Sequence, residues 1–261
     1  MISLRTPFGW VLRFLAVVTF VYLLGPLVVI VAASFSDTGY LAFPPEGFSL
    51  RWYHSALGDA RYLSGFFVSL RLAALVAFFS LILGTAAAVA LTRFRFPGRA
   101  LLQALFLSPL VLPGLVLAVA LTVFFSTTPL APPGMPRLVV SHMLVGVPLV
   151  LRVMLPVLRR VDRAVEEAAQ NLGASPLLAF CLVTLPALRP GLFAAGALAF
   201  IFSFDEVEMA LFLGSAREAP LTVVLYGAAQ MAMDPTVAAV SSMLILLALV
   251  LMLAQQLYAQ R

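Results

Sequence analysis

Residues 14–33 read FLAVVTFVYLLGPLVVIVAA, a run without a single charged side chain. A helix rises 1.5 Å per residue, so ~20 such residues cross a hydrocarbon layer of ~30 Å. Arg5 and Arg13 precede the run, and Val31-Ala32-Ala33 resembles a signal-peptidase site. A secretory core is shorter, however, at ~7–15 residues. The stretch is therefore expected to stay in place as a first membrane span.

Five further, predominantly apolar runs of similar length follow, giving six expected spans at about 14–33, 66–91, 101–126, 138–158, 191–213 and 236–257. The expected fold is all-α and polytopic, with residues 1–261 forming one transmembrane domain. Composition agrees: 63% of the 261 residues are hydrophobic and 10% charged, with a mean hydropathy of +1.09. A soluble domain needs more polar surface than that. The runs are continuously apolar and do not alternate, which excludes a membrane β-barrel.

Charge orients the spans. All 16 basic residues are arginine, and the net charge is +5. They lie scattered between apolar runs and form no soluble basic patch, so no nucleic-acid partner is expected. With the N-terminus inside, Arg5, Arg13, Arg93, Arg95, Arg99, Arg159, Arg160, Arg163, Arg189 and Arg261 fall on the cytoplasmic side, against Arg51, Arg61, Arg137 and Arg217 outside. Arg71 and Arg152 sit within apolar runs and are left out. The imbalance predicts both termini in the cytoplasm.

The single cysteine, Cys181, rules out an intrachain disulfide and a cysteine-based metal site. His54 and His142 are the only histidines, and no His/Asp/Glu cluster has metal-ligand spacing. No Gly-x-Ser-x-Gly elbow or phosphate-binding loop is present. Neither a catalytic residue nor a bound metal or cofactor is expected in this chain.

Pro26, Pro109, Pro113, Pro148 and Pro156 lie inside expected spans. Each removes a helical donor and favours a kink. Pro109 and Pro113, followed by Gly114, sit one turn apart. They suggest either a bent helix of the kind that lines a transport path or the packing irregularity common in membrane helices. The external loop at about 34–65, with Pro44-Pro45, Gly47, Trp52 and Tyr53, has aromatics suited to a membrane interface or a docking surface.

The most informative stretch is the cytoplasmic loop at about 159–190, where residues 162–186 read DRAVEEAAQNLGASPLLAFCLVTLP. Asp162 to Leu172 predicts a helix with Val165, Ala168, Ala169 and Leu172 on one apolar face. Gly173 fits a helix C-terminus, at which positive φ is expected. Ser175 and Pro176 fit the N-cap and first position of a second helix. Pro186 and Pro190 are expected to break the chain before the next span. Small residues at Ala168, Ala169, Gly173 and Ala174 would let a partner's backbone approach closely. An amphipathic helix lying on lipid would want Lys or Arg on its polar face, whereas this one carries Glu166, Glu167, Gln170 and Asn171.

Glu167-Ala168-Ala169, three residues, Gly173, nine residues, Val183, one residue and Leu185-Pro186 together resemble the EAA motif of ABC-importer permeases, with Val183 in the place of isoleucine. The resemblance implies a type I importer permease fold. It also implies that this loop docks on an ATPase dimer, with Glu167 meeting basic groups there. The expected companions are a second homologous permease, a periplasmic or extracellular substrate-binding protein and membrane lipid. ATP and Mg would be held by the ATPase subunits.

Ser203-Phe204-Asp205-Glu206, Ala210-Leu211-Phe212-Leu213, Pro220-Leu221, Leu27 to Phe35 and Gly47-Phe48-Ser49-Leu50-Arg51-Trp52-Tyr53 are similar to the spermidine/putrescine permease subfamily, in particular its PotC-type subunit. That likeness implies a polyamine substrate. Permeases for another small amine, an amino-acid-like solute or an organophosphonate share these features. Glu208 departs from the subfamily pattern.

Independently, Asp205, Glu206 and Glu208 fall in the fifth expected span, where an unpaired ionisable residue costs at least ~2.5 kcal/mol at the helix centre. Asp205 and Glu208, three apart, are expected to share a helical face. They either line a path for a cation, or pair with Arg71 or Arg152, or hydrogen-bond at a subunit interface. The reading from another class is a channel or ion-gradient-driven carrier, which would need no ATPase-docking loop.

Overall fold

A computed structural model describes residues 7–128, 132–215, 217–231 and 234–259. Arg5 and Arg261, both counted among the inside charges, lie outside the described residues. No strand occurs among the described residues, and the chain forms two compact units.

The first unit comprises the chain up to Leu63 and from Leu225 onward. It holds α1 (Pro7–Ala33) and α2 (Arg51–Gly58). Between them residues 34–50 are tied down rather than loose. Trp52 Nε1 donates to the Ser36 carbonyl at 2.9 Å, and the Ser34 and Tyr53 hydroxyls meet at 2.6 Å. Phe35 stacks on Phe48 at 5.2 Å and lies 5.3 Å from the Tyr53 ring. The loop's aromatic residues thus pack on one another, as amphipathic rings do at a membrane boundary.

The second unit, Ser64–Val224, carries the site. α3 (Ala60–Arg93) enters it as a 34-residue helix. α4 (Arg99–Leu107) runs into a 3₁₀ turn, Ser108–Val111, and α5 (Gly114–Thr127) follows after a bend of 104°. Leu112 (ψ 138°) and Pro113 (ψ 136°) are both extended at the bend. Proline disfavours helical geometry at the residue before it and supplies no donor of its own. The broken helix suggested by Pro109, Pro113 and Gly114 is therefore present, and the expected span 101–126 is a bent pair. By contrast α6 (Met135–Arg160) runs unbroken through Pro148 and Pro156.

α6 is the spine of this unit. Leu138, Val139 and Val145 on its first half join Leu72, Val76, Leu117 and Met209 in one apolar cluster. Val150, Leu151, Met154 and Leu158 on its second half join Ala88, Leu91 and Leu188 in another. Lipid offers helices no hydrophobic reason to associate, so close backbone approach matters more. A Cβ at Gly84 of α3 would come within 2.7 Å of Val150, and one at Gly191 within 2.8 Å of Val157.

α7 (Arg163–Asn171), α8 (Pro176–Ala179), a π-helical turn at Phe180–Thr184 and α9 (Leu185–Asp205) follow. Here the structure corrects an expectation. Pro186 and Pro190 do not break the chain, for Pro176–Asp205 is one 30-residue helical run. Pro186 lies in the first turn of α9, and the wider π turn directly before it absorbs the lost hydrogen bond. The second helix of the expected loop is thus continuous with the fifth span, which begins well before residue 191.

α10 (Glu208–Leu213) and α11 (Leu221–Met231) come next, and α12 (Pro235–Ala259) returns the chain to the first unit, where it packs with α1 and α2. Four helical runs among the described residues are long and apolar enough to cross a membrane: Phe8–Ala33, Ala60–Arg93, Met135–Arg160 and Pro176–Asp205. The bent pair makes five, and Pro235–Val250 is a further, shorter apolar stretch.

Candidate functional site

The helix–turn–helix after α6 is built by local rules. The Asp162 side chain accepts from the Ala164 N–H at 2.9 Å and caps α7. At the other end Gly173 has φ +96°. Its N–H reaches the Gln170 carbonyl at 2.9 Å, and the Ala174 N–H reaches the Ala169 carbonyl at 3.1 Å. This paired arrangement is the Schellman stop, which requires a left-handed residue at the turn. Ser175 then caps the next helix, accepting from the Leu178 N–H at 3.3 Å, with Pro176 in the first turn.

No residue of α7 is buried. Leu172 is 91% exposed, Leu177 74% and Val165 54%. Ala168 and Gly173 are exposed between them. The predicted apolar face of Val165, Ala168, Ala169 and Leu172 is therefore largely uncovered, with only Ala169 half-buried.

Glu167 also points outward, with only an i,i+4 ion pair to Arg163 at 3.4 Å. Val183, in the π turn, lines a groove of about 570 Å³ with Val165 and Asp162. Leu185 lines a different, apolar cavity beside Phe78 and Leu192, and Pro186 is half-buried.

The inward-facing acid is Glu166. Its Oε2 lies 2.7 Å from Arg93 Nη2 and accepts from the Thr184 hydroxyl at 2.5 Å. Neither Glu166 nor its partners stand in the EAA pattern. Helical phase alone offered a weak signal, because Glu166 falls beside Val165 rather than on the apolar face.

Asp205, Glu206 and Glu208 do not form the expected arrangement. α9 ends at Asp205, Glu206 is extended (ψ 116°), and α10 begins at Glu208, so Asp205 and Glu208 share no helical face. Glu206 caps α10, its Oε1 accepting from the N–H groups of Glu208 at 3.0 Å and Met209 at 3.1 Å. Asp205 and Glu208 are exposed.

The Glu208 carboxylate lies over Gly114, where a Cβ would collide with its Oε2. Two broken helices thus meet at their breaks, with an acid placed at the N-terminal, positive end of α5. Among the described residues no ion pair joins these acids to Arg71 or Arg152, which are themselves exposed. His142 is fully buried and its Nδ1 meets the Ser203 hydroxyl at 2.9 Å, tying α6 to α9. No group of three or more potential metal ligands occurs among the described residues.

The chain matches the family described as "Binding-protein-dependent transport system inner membrane component" over residues 80–261. It is 32% identical over 247 residues to the putrescine transport system permease protein PotI of Escherichia coli K12, covering 92% of this chain and 86% of that one. It is 28% identical over 241 residues to the spermidine/putrescine transport system permease protein PotC of the same strain, covering 92% and 90%. Among solved structures it is similar to a bacterial ABC transporter involved in the import of the acidic polysaccharide alginate. The TM-score is 0.75 over 99% of this chain and 98% of that one, at 19% identity. That match concerns the fold.

Proposed function

The chain belongs to the family of binding-protein-dependent transport system inner membrane components, and we propose that, as a permease subunit of an ABC importer, it carries a polyamine of the putrescine class. Its multi-pass helical architecture is that of an inner-membrane permease. In this reading α7 and α8 dock on an ATPase dimer that binds ATP and Mg and performs the hydrolysis. A second, homologous permease completes the path, and an external binding protein delivers the solute.

One observation carries the docking assignment: the apolar face of α7 is turned outward while its one inward acid is fixed by partners. A helix that shows Leu172 at 91% exposure, capped at both ends, is shaped to be covered. Small Ala168 and Gly173 let the cover approach closely. Closure of the ATPase dimer would then displace α7, and with it the continuous α8–α9 run, as a rigid body.

The polyamine assignment rests on the relatives and on the chemistry at the helix breaks. Asp205 follows Phe204, whose ring stacks with Phe200 at 6.0 Å and meets Phe66 edge-on at 6.1 Å. Exposed carboxylates and aromatic faces each attract an ammonium ion. Asp205 and Glu208, exposed and without ion pairs among the described residues, are the acids available to it.

The test is uptake of labelled putrescine by cells lacking their own polyamine importers. This chain would be expressed with the ATPase, sister permease and binding protein of its own operon. Putrescine uptake that needs ATP and the binding protein supports the reading. Uptake of an anionic solute but not putrescine would reject the substrate, and failure of the ATPase to co-purify would reject the docking role.

A further inference from the structure

No residue of α7 is fully buried, and its apolar contacts are with α8, the π turn and the groove that Val165 shares with Val183, yet it must hold a defined angle if a push on it is to move anything. A single carboxylate oxygen adds a polar tie to α3 and to the end of the π turn. Glu166 Oε2 is shared by Arg93, the last residue of α3, and Thr184, the last residue of the π turn that leads into α9.

The ion pair measures 2.7 Å with side chains only 13% and 15% exposed, and Thr184 is fully buried. A pair so withdrawn from water is little screened, and removing one partner strands a charge. The neighbouring Arg163–Glu167 pair, 63% and 62% exposed, has no such hold. Arg93 also lies at a helix C-terminus, where the carbonyl ends favour a cation.

We propose that Arg93, Glu166 and Thr184 form a polar clamp that makes α7, α3 and α9 move as one body, with Glu166 the positioning residue for energy coupling. This rests on reading α7 as the ATPase-docking helix. Two adjacent glutamates then have separate tasks: Glu167 faces the partner, and Glu166 ties the docking helix to two spans. Without the clamp, α7 would still dock, but would swivel on its Schellman turn and its Asp162 cap instead of driving α3 and α9.

The experiment uses the assembled importer, tagged on this chain, with three readouts: membrane abundance, ATPase retained through mild-detergent purification, and putrescine uptake. The variants are Glu166→Gln, Arg93→Gln and the exchange Arg93→Glu/Glu166→Arg. Ala168→Trp is added on the docking face.

The clamp predicts that each single variant retains the ATPase while uptake per chain falls about tenfold. The exchange, which conserves the number of inside charges, should recover most of the loss. Normal uptake per chain in the single variants overturns the clamp. So does a loss confined to abundance, or a loss the exchange does not repair. If Ala168→Trp leaves both ATPase retention and uptake unchanged, the docking reading falls and the clamp with it. Loss of retention in Ala168→Trp alone, with normal single variants, rejects only the clamp.

Discussion

Arg93 and Glu166 meet at 2.7 Å across the junction of α3 and α7, while Glu167, one residue on, faces outward beside Arg163 at 3.4 Å. A turn of about 100° per residue separates their directions. The outward face of α7 and the inward contact of Glu166 are therefore interleaved in one short helix, and a substitution on one side is expected to act differently from a substitution on the other.

Gly173 sits at φ +96° in the Schellman turn, where no added Cβ would meet a neighbour. The restriction there is conformational rather than steric. Gly173→Val is expected to cost about 1–3 kcal/mol locally and to lower uptake with the chain still inserted. Gly173→Asn, which tolerates the left-handed region, should retain most of it. Uptake per membrane-inserted chain, compared between the two, checks this. Normal transport by the valine variant would reject a role for the turn.

Asp205 and Glu206 are adjacent acids with different surroundings. Glu206→Ala removes two hydrogen bonds at the start of α10 and is expected to cost about 0.5–2 kcal/mol, as loss of a helix cap does. It should lower membrane abundance and thermal stability. Asp205→Asn breaks no ion pair among the described residues, so abundance should hold while putrescine uptake falls sharply. Equal abundance and equal uptake in Asp205→Asn would remove this residue from the cation path.

Gly114 makes room for the Glu208 carboxylate. Gly114→Ala should push that carboxylate off the end of α5 and reduce uptake, and Glu208→Ala in the same chain should relieve the crowding. A double-mutant cycle on thermal stability of the purified complex is expected to show a coupling of about 0.5–3 kcal/mol. Strict additivity would mean the two breaks do not bear on each other.

Ser203 supplies a partner to the Nδ1 of fully buried His142. Ser203→Ala leaves that nitrogen unpaired in the core of the second unit, at an expected cost of about 1–3 kcal/mol. The loss should show in thermal unfolding, while uptake per folded chain stays near normal. A selective loss of transport at unchanged stability would instead place His142 in the path.

Much of the architecture follows from short-range rules and was legible directly. Residues 14–33 were long and apolar enough to span a membrane, and the structure makes them part of one unbroken helix. Gly173, Ser175 and Pro176 announced the end of one helix, the turn and the start of the next. Capping and left-handed glycine act over a few residues, so the structure places these as expected. Pro113 with Gly114 announced the bend for the same reason, since proline's ring and missing donor act only on its immediate neighbours.

The rest was decided by contacts between residues far apart in the chain. Pro186 and Pro190 have the same local chemistry as Pro113, yet the helix runs through them, with a π turn before the first and α9 packed along α6. Asp205 and Glu208 read as one face by periodicity, but the chain leaves the helix at Glu206, whose carboxylate accepts from the first N–H groups of α10, and Asp205 and Glu208 fall on separate helices. Above all, nothing in the spacing of residues 93, 166 and 184 links them. Helical phase places Glu166 beside Val165, and only the crossing of α3, α7 and the π turn brings an arginine and a threonine to one oxygen of its carboxylate. Sequence by itself determines the long apolar helical runs and the stop and start at Gly173, Ser175 and Pro176, because those forces are local and nearly independent of context. Which buried charge finds a partner is a property of tertiary packing, because a charge withdrawn from water is stabilised by whatever side chain the fold brings within about 3 Å.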